Sequence, residues 1–142
     1  MLLKALVEQL EADGLATFGV DLYAGDGYPF DAPDECFLLL DSGGPAPSKY
    51  LPVETQNIQV LTRALHYLTA KANSRTIFRY FHGEVTGNKW DPKHNYIIGT
   101  TEQFYVYSSE ALQPPSSIGP DEKNRAEVSF NLSFQIRLKG SA

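Results

Sequence analysis

Apolar and polar residues alternate without exception over residues 126–139, near the end of the chain. Successive side chains of a β-strand point to opposite faces of the sheet, so a strict period of two predicts one long strand with a single buried face. Any fold of this chain has to bury that face. The apolar set is Ala126, Val128, Phe130, Leu132, Phe134, Ile136 and Leu138.

Two segments between the prolines have helical periodicity instead. Leu3, Leu6, Val7 and Leu10 recur at three-to-four residue spacing, and Gly14 suits a left-handed cap, which predicts a helix over residues 2–13. A second helix is predicted over residues 66–82, with a stop at the following glycine. Its expected apolar positions are Leu65, Leu68, Ala72, Ile77, Phe78 and Phe81.

Four further segments are rich in β-formers. Residues 17–23, 35–41 and 56–64 each predict a strand, and residues 95–107 predict one bent strand or a hairpin with Gly99 at a bulge or close contact. With the last strand, this order of elements predicts an α+β fold in one domain of 142 residues. We expect a mainly antiparallel sheet of about five strands with two helices packed on it.

Two long segments rich in proline, glycine and serine separate these elements. Residues 42–52 contain Gly43, Gly44, Pro47, Tyr50 and Leu51, and this composition excludes a helix or a central strand. Residues 108–124 are the second segment, and we predict a turn-rich connection there, longer than a compact domain needs. Its candidate contact residues are Pro114, Pro115 and Ile118. Both segments are interpreted as exposed loops, which either contact a partner or are tolerated insertions.

Composition excludes several classes of protein. The net charge of −5 has the wrong sign for counterion-release binding, so no sequence-specific nucleic acid partner is expected. The longest apolar run, residues 36–40, is far too short for a membrane span, and the first residues lack a cleavage site. We therefore expect a soluble chain without a signal peptide or a membrane partner. The lone cysteine, Cys36, lies among apolar neighbours and is expected to be an inert core thiol.

The residues offer no converging catalytic set. His66, His82 and His94 have no metal-ligand spacing, and Gly43 and Gly44 lack the lysine and hydroxyl residue that end a phosphate-binding loop. The acidic residues from Asp21 to Glu35 do not match the spacing of a calcium loop. We therefore predict no enzymatic activity, no cofactor and no metal.

One basic stripe stands out on the second predicted helix. Lys71, Arg75 and Arg79 recur four residues apart, so they share one face of the helix. Such a stripe is typical of a solvated helix surface, and it is also a candidate contact for an acidic partner.

The order of the motifs resembles that of the small tail terminator proteins of long-tailed bacteriophages, often labelled minor capsid or tail completion proteins. The similarity lies in the Asp41, Gly43, Gly44, Pro47 turn, in the sequence YLPVE at residues 50–54, and in the residues that lead into the final alternating strand. Those last residues are Gly119, Asp121, Arg125, Ala126 and Glu127. The resemblance extends from about residue 15 to residue 138, and the chain departs from the pattern at residues 84–95, where a larger polar loop carries Trp90.

The resemblance implies a structural virion protein that forms a ring, usually a hexamer, on the end of the tail tube. Such a ring stops tube growth and provides the docking surface for the head-side connector or neck protein. The implied location is the virion tail, after assembly in the host cytoplasm. The loops 42–52 and 108–124 are then candidates for contacts with neighbouring subunits or with the tube protein.

Other functions stay open at the level of sequence. A head-tail joining or tail tube protein has a similar sheet-plus-helix subunit. A small ligand- or metal-binding domain would use the acidic segment from Asp21 to Glu35. A nucleic-acid module would rest only on Lys71, Arg75 and Arg79.

Overall fold

The computed structural model describes residues 1–25, 27–46, 49–50, 52–86, 89–91 and 96–141. These residues form two helices and nine strands. The helices are α1 (Leu2–Ala12) and α2 (Tyr67–His82). The strands are β1 (Leu22–Ala24), β2 (Cys36–Asp41), β3 (Glu54–Ala64), β4 (Glu84–Thr86), β5 (Lys89–Asp91), β6 (Ile97–Ile98), β7 (Glu102–Ala111), β8 (Ser116–Pro120) and β9 (Ala126–Ser141).

Seven of these strands form one sheet around β9. The order is β1-β2-β3-β9-β7-β6, and β8 also pairs with β9. β3 pairs with β9 from Ala126 to Ile136, while β7 and β8 divide the other side of β9 between them. β4 and β5 form a separate two-stranded hairpin. β9 is therefore the centre of the sheet, with paired strands on both of its edges.

The buried face of β9 carries the main core. Val128, Phe130, Leu132, Phe134 and Ile136 are all fully buried, which confirms the prediction for these positions. Both helices contribute to the same core, and the ring of Phe81 in α2 packs edge-on against Phe134 at 5.6 Å. Leu138 is 58% exposed because the strand continues past the part of the sheet that the helices cover.

The predicted fold class is correct, but the predicted sheet is too small and too uniform. β1 runs parallel to β2, so the sheet is mixed, and it holds seven strands where about five were expected. β8, which no predicted strand covers, is five residues long, and β6, the first strand of the hairpin that was one of the two predictions for residues 95–107, is only two residues long. Strands that short leave little periodic signal in a sequence.

The strand predicted over residues 17–23 is wrong for its first half. The Asp21 carboxylate accepts a hydrogen bond from the Thr17 N–H at 2.7 Å, and the Thr17 carbonyl accepts from the amides of Val20, Asp21 and Leu22. Gly19 has φ +82°, a conformation that favours glycine. This local hydrogen bonding makes a compact turn, and only Leu22–Ala24 joins the sheet.

The turn-rich connection predicted over residues 108–124 is also largely wrong. β7 continues to Ala111, and β8 occupies Ser116–Pro120. β9 is 16 residues long, and β7 pairs with it only from Leu132 onward. The backbone N–H and C=O groups on the remaining edge, from Ala126 to Ser129, therefore need a second strand to pair with, and β8 is that strand. The prolines at 114 and 115 separate β7 from β8, because proline has no backbone N–H to donate to the hydrogen bonds between strands.

The remaining helices and strands agree with the predictions from the sequence, except for part of the buried face predicted for α2. Residues 95–107 contain the β6–β7 hairpin, with Gly99 at φ +106° against α1. The inward face of α2 consists of Ala70, Ser74, Ile77, Tyr80 and Phe81. Leu65, Leu68 and Ala72, which were expected on that face, are exposed because they lie on the other side of the helix or before its start.

Candidate assembly surfaces

The predicted basic stripe is present on α2. Lys71, Arg75 and Arg79 lie on the same side of the helix, and the guanidinium of Arg75 lies 5.7 Å from the centre of the Phe78 ring. Lys71 Nζ lies 3.3 Å from the Tyr67 hydroxyl oxygen. In the described part of the chain, none of the three cations forms a salt bridge. We call these three residues the basic flank.

The basic flank faces the β7–β8 side of the sheet. Phe78 and His82 lie on the same flank of the helix, one turn apart, and their rings stack at 5.2 Å. Phe78 packs edge-on against Phe130, and His82 Nδ1 accepts a hydrogen bond from the Ala111 N–H at 3.0 Å. These contacts fix the orientation of α2 about its own axis.

The opposite flank of α2 faces the β1 side and lies beside acidic residues from other parts of the chain. Asn73 Nδ2 donates to Glu35 Oε1 at 2.6 Å, and the Tyr80 hydroxyl donates to the Asp13 carboxylate. Between α2 and the start of β2 lies a cavity of about 390 Å³. We call it the acidic cavity, and its lining is Leu15, Asp21, Glu35, Phe37, Asn73 and Thr76.

The loop between β2 and β3 is tied down at its base. Ser42 N–H donates to the Asn57 carbonyl at 2.9 Å, and Gly43 N–H donates to Asp41 Oδ1 at 3.2 Å. A Cβ on Gly44 would collide with the Thr55 carbonyl oxygen, so this position requires glycine. Tyr50 is 91% exposed, whereas Pro47 and Leu51 lie outside the described residues.

The β7–β8 side presents several exposed apolar side chains. Tyr107, Leu112 and Ile118 are each more than half exposed, and Ile118 lies at a bulge in the pairing of β8 with β9. Pro114 is exposed, but Pro115 is buried, so Pro115 is unsuited to a direct partner contact. Past the short β6 pairing, β7 and β8 have no further strand beside them among the described residues.

A different apolar surface lies at the opposite, β1 side of the sheet. Phe18 is 54% exposed and Val20 is 62% exposed, because the turn over residues 17–21 points them outward. A neighbouring groove of about 390 Å³ lies between α1 and β1, with Leu3, Val7 and Phe18 in its lining. In the sequence, Phe18, Val20 and Leu22 alternate with Thr17, Gly19 and Asp21, a pattern that predicts a buried strand face and does not mark Phe18 and Val20 as surface residues.

Comparison with known families shows which family the chain belongs to. A family model described as bacteriophage tail terminator protein matches residues 10–138. The chain belongs to the bacteriophage tail terminator family. No curated protein matches it. The family consists of structural phage tail proteins, which makes this tail terminator a component of the virion tail.

Several titratable residues of this tail terminator serve structural contacts. Burial raises the pKa of the Cys36 thiol, which agrees with a core cysteine. The acidic segment supplies Asp21 to the β1 turn and Glu35 to Asn73, and Asp26 and His94 lie outside the described residues. Within the described ranges, no group of three or more His, Cys, Asp or Glu side chains could hold a metal ion. No helix among those residues is both long and apolar enough to span a membrane.

Sequence reasoning missed one buried polar contact that positions the β1–β2 loop. Arg63 is only 4% exposed, and its guanidinium lies 4.2 Å from the centre of the Tyr28 ring. It donates to the backbone carbonyls of Pro33 at 2.7 Å and Asp34 at 3.4 Å. The only available signal was an arginine that follows the apolar residues Val60 and Leu61 near the end of β3.

Proposed function

We propose that this tail terminator assembles head-to-tail into a ring on the end of the tail tube, stops tube growth and offers a docking surface to the head-side connector. The observation that carries the proposal is the pair of different apolar surfaces at opposite sides of one sheet. Phe18 and Val20 lie on the β1 side, and Tyr107, Leu112 and Ile118 lie on the β7–β8 side.

Two different surfaces favour a head-to-tail contact. In a two-fold dimer, each subunit uses the same patch, so one apolar surface would suffice. A heterologous contact joins one patch to the other and repeats, which gives a ring when the rotation closes. Exposed apolar side chains gathered at two sites are also what an interaction surface requires. A ring of six copies follows from the resemblance to other tail terminators.

The β2–β3 loop is the element we assign to contact with the tail tube. Its base is fixed by the hydrogen bonds of Ser42 and Gly43, whereas the Tyr50 side chain is almost fully exposed. Large aromatic side chains are frequent anchors of protein interfaces. The loop leaves the sheet at a strand end, while the two apolar surfaces lie at its sides, so loop and sides can engage different partners.

Light scattering over a wide concentration range, followed by negative-stain imaging, tests the ring. The wild-type chain is expected to give closed rings of one fixed size, and Leu112→Lys with Ile118→Lys is expected to give a folded monomer. Leu138→Lys is the matched control, because Leu138 is similarly exposed but lies toward the other end of β9 from Leu112 and Ile118. Rings that survive the paired change would contradict a contact through the β7–β8 side.

A further inference from the structure

We infer that the basic flank of α2 docks into the acidic cavity of the next copy of this chain. The inference deepens the proposed function and rests on it, since it names the residues that meet when the ring forms. The guanidinium groups of Arg75 and Arg79 would enter the cavity lined by Asp21 and Glu35.

The first step is the position of the two charged surfaces. Phe78 and His82, on the side of the basic flank, contact Phe130 and Ala111, so this flank faces the β7–β8 side. Asn73, on the other flank, reaches Glu35 and the acidic cavity near β1. The basic and acidic surfaces therefore lie toward the same two sides as the two apolar surfaces. A head-to-tail contact that joins the apolar surfaces brings opposite charges together as well.

The second step is that, among the described residues, neither surface has an ionic partner within its own subunit. The salt bridges in the described residues involve Glu102, Asp34 and Asp121, and none involves the basic flank, Asp21 or Glu35. Within the described ranges, the hydrogen bonds that the Asp21 and Glu35 carboxylates accept come from neutral donors, the Thr17 amide and Asn73. The side chains of both surfaces are therefore available for ionic contacts with a partner.

The third step is the fit between arginine and the cavity. A planar guanidinium forms two parallel hydrogen bonds with a carboxylate, which gives both strength and orientation. Leu15 and Phe37 supply apolar wall to the same cavity. An arginine buries its methylene stem against apolar surface while its head meets a charged group, so this mixed lining suits a side chain of that kind.

The occupant is a second copy because the chain itself supplies the complementary charge. The whole molecule is acidic, with 17 acidic and 12 basic residues, yet the exposed side of α2 gathers three cations on one flank. Complementary potentials across an interface select the correct partner and fix its register. In a ring, they would also set the rotation between neighbours.

Charge reversal with a mixing step tests the inference. One variant carries Arg75→Glu and Arg79→Glu, and the other carries Glu35→Arg and Thr76→Arg in the cavity. Each variant alone is expected to stay folded by circular dichroism and to assemble at least about tenfold more weakly than wild type, because like charges then face each other. Lys123→Glu with Lys139→Glu changes the net charge as the first variant does and is expected to assemble normally.

Mixing the two variants in equal amounts is expected to restore rings. Every contact in an alternating ring then joins an acidic α2 to a basic cavity or a basic α2 to an acidic cavity. Such a ring closes only with an even number of copies, which six satisfies. Variants that assemble like wild type, or that weaken assembly without rescue on mixing, would overturn the pairing while leaving the ring intact. A wild-type chain that is monomeric both alone and on tube ends would overturn the ring and the pairing together.

Discussion

Arg125 Nη1 lies 3.2 Å from Asp34 Oδ1, and this ion pair joins the turn before β9 to the loop before β2. The same guanidinium contacts Asp121 through its Nε at 2.7 Å, within the turn itself. Arg125 therefore holds together two connections that are 91 residues apart in sequence. The acidic cavity lies beside this link, since Glu35 directly follows Asp34.

Because of the Asp121 carboxylate, the stability of the fold is expected to change with pH in the acid range. Burial alone would raise the pKa of Asp121, but the backbone N–H and the guanidinium of Arg125 outweigh it and hold the pKa below its usual 3.8. A carboxyl group whose pKa is lower in the folded state stabilises the fold above its unfolded pKa, and this contribution is lost as the pH falls through the folded pKa. We expect Asp121→Asn to lower the urea midpoint at neutral pH. The difference from wild type should shrink below about pH 3.5, and a constant difference at all pH values would contradict this assignment.

The core prediction concerns Phe134. It is fully buried on β9 and packs against Phe81, so Phe134→Asp would place an unpaired charge in the core and is expected to unfold the chain. Phe134→Ala is expected to cost about 3–5 kcal/mol in urea denaturation. Leu138→Ala, on the same strand face but exposed, should stay within about 0.5 kcal/mol of wild type. Equal losses for the two alanine variants would show that the buried part of the face is assigned wrongly.

Gly99 is expected to tolerate no side chain. Its φ is +106°, and a Cβ there would collide with the Glu102 carbonyl oxygen and lie 3.1 Å from the Ala5 Cβ. Gly119→Ala is a matched control, because its φ of +96° imposes similar strain while no atom lies within 4 Å of the added carbon. We expect a cost of about 1–3 kcal/mol for the control from strain alone. Thermal denaturation should show a larger loss for Gly99→Ala, and the excess measures the contact between α1 and the β6–β7 hairpin.

A substitution at Tyr50 is expected to impair binding to the tail tube without affecting the folding of the monomer. Because its side chain is 91% exposed, Tyr50→Asp should leave the melting temperature of the monomer nearly unchanged. We expect the same variant to lose binding to the tail tube, measured by co-sedimentation with polymerised tube protein. A drop in melting temperature would instead place Tyr50 in a structural contact, and unchanged binding would remove it from the tube surface.

The strongest parts of the sequence prediction rest on long periodic segments. The pattern on β9 and the pattern on α1 each identified a buried face, since many positions carry the same signal. The strand predicted over residues 17–23 was wrong for its first half, because Asp21 and Gly19 form a local turn whose hydrogen bonds compete with strand pairing. β8 was missed because its pairing is imposed by the uncovered edge of β9, a requirement that is not encoded in its own five residues.

The candidate surfaces were predicted less completely than the fold. The basic flank followed directly from helical spacing, and the structure confirms that its three residues share one side of α2. The acidic cavity was not predicted, because it brings together residues from the α1–β1 segment, β2 and α2 that are far apart in sequence. The exposure of Phe18 and Val20 depended on the same local turn that replaced the expected strand.

Imaging of tail tubes polymerised in the presence of this chain tests the central claim most directly. The tube protein would come from the phage that encodes the chain, and the chain would be labelled to identify its position. We expect a closed ring of one size at a single end of each tube, together with arrest of tube growth. Label distributed along the length of the tubes, or tubes that grow unchanged with no ring at either end, would contradict a terminator that acts by capping the tube.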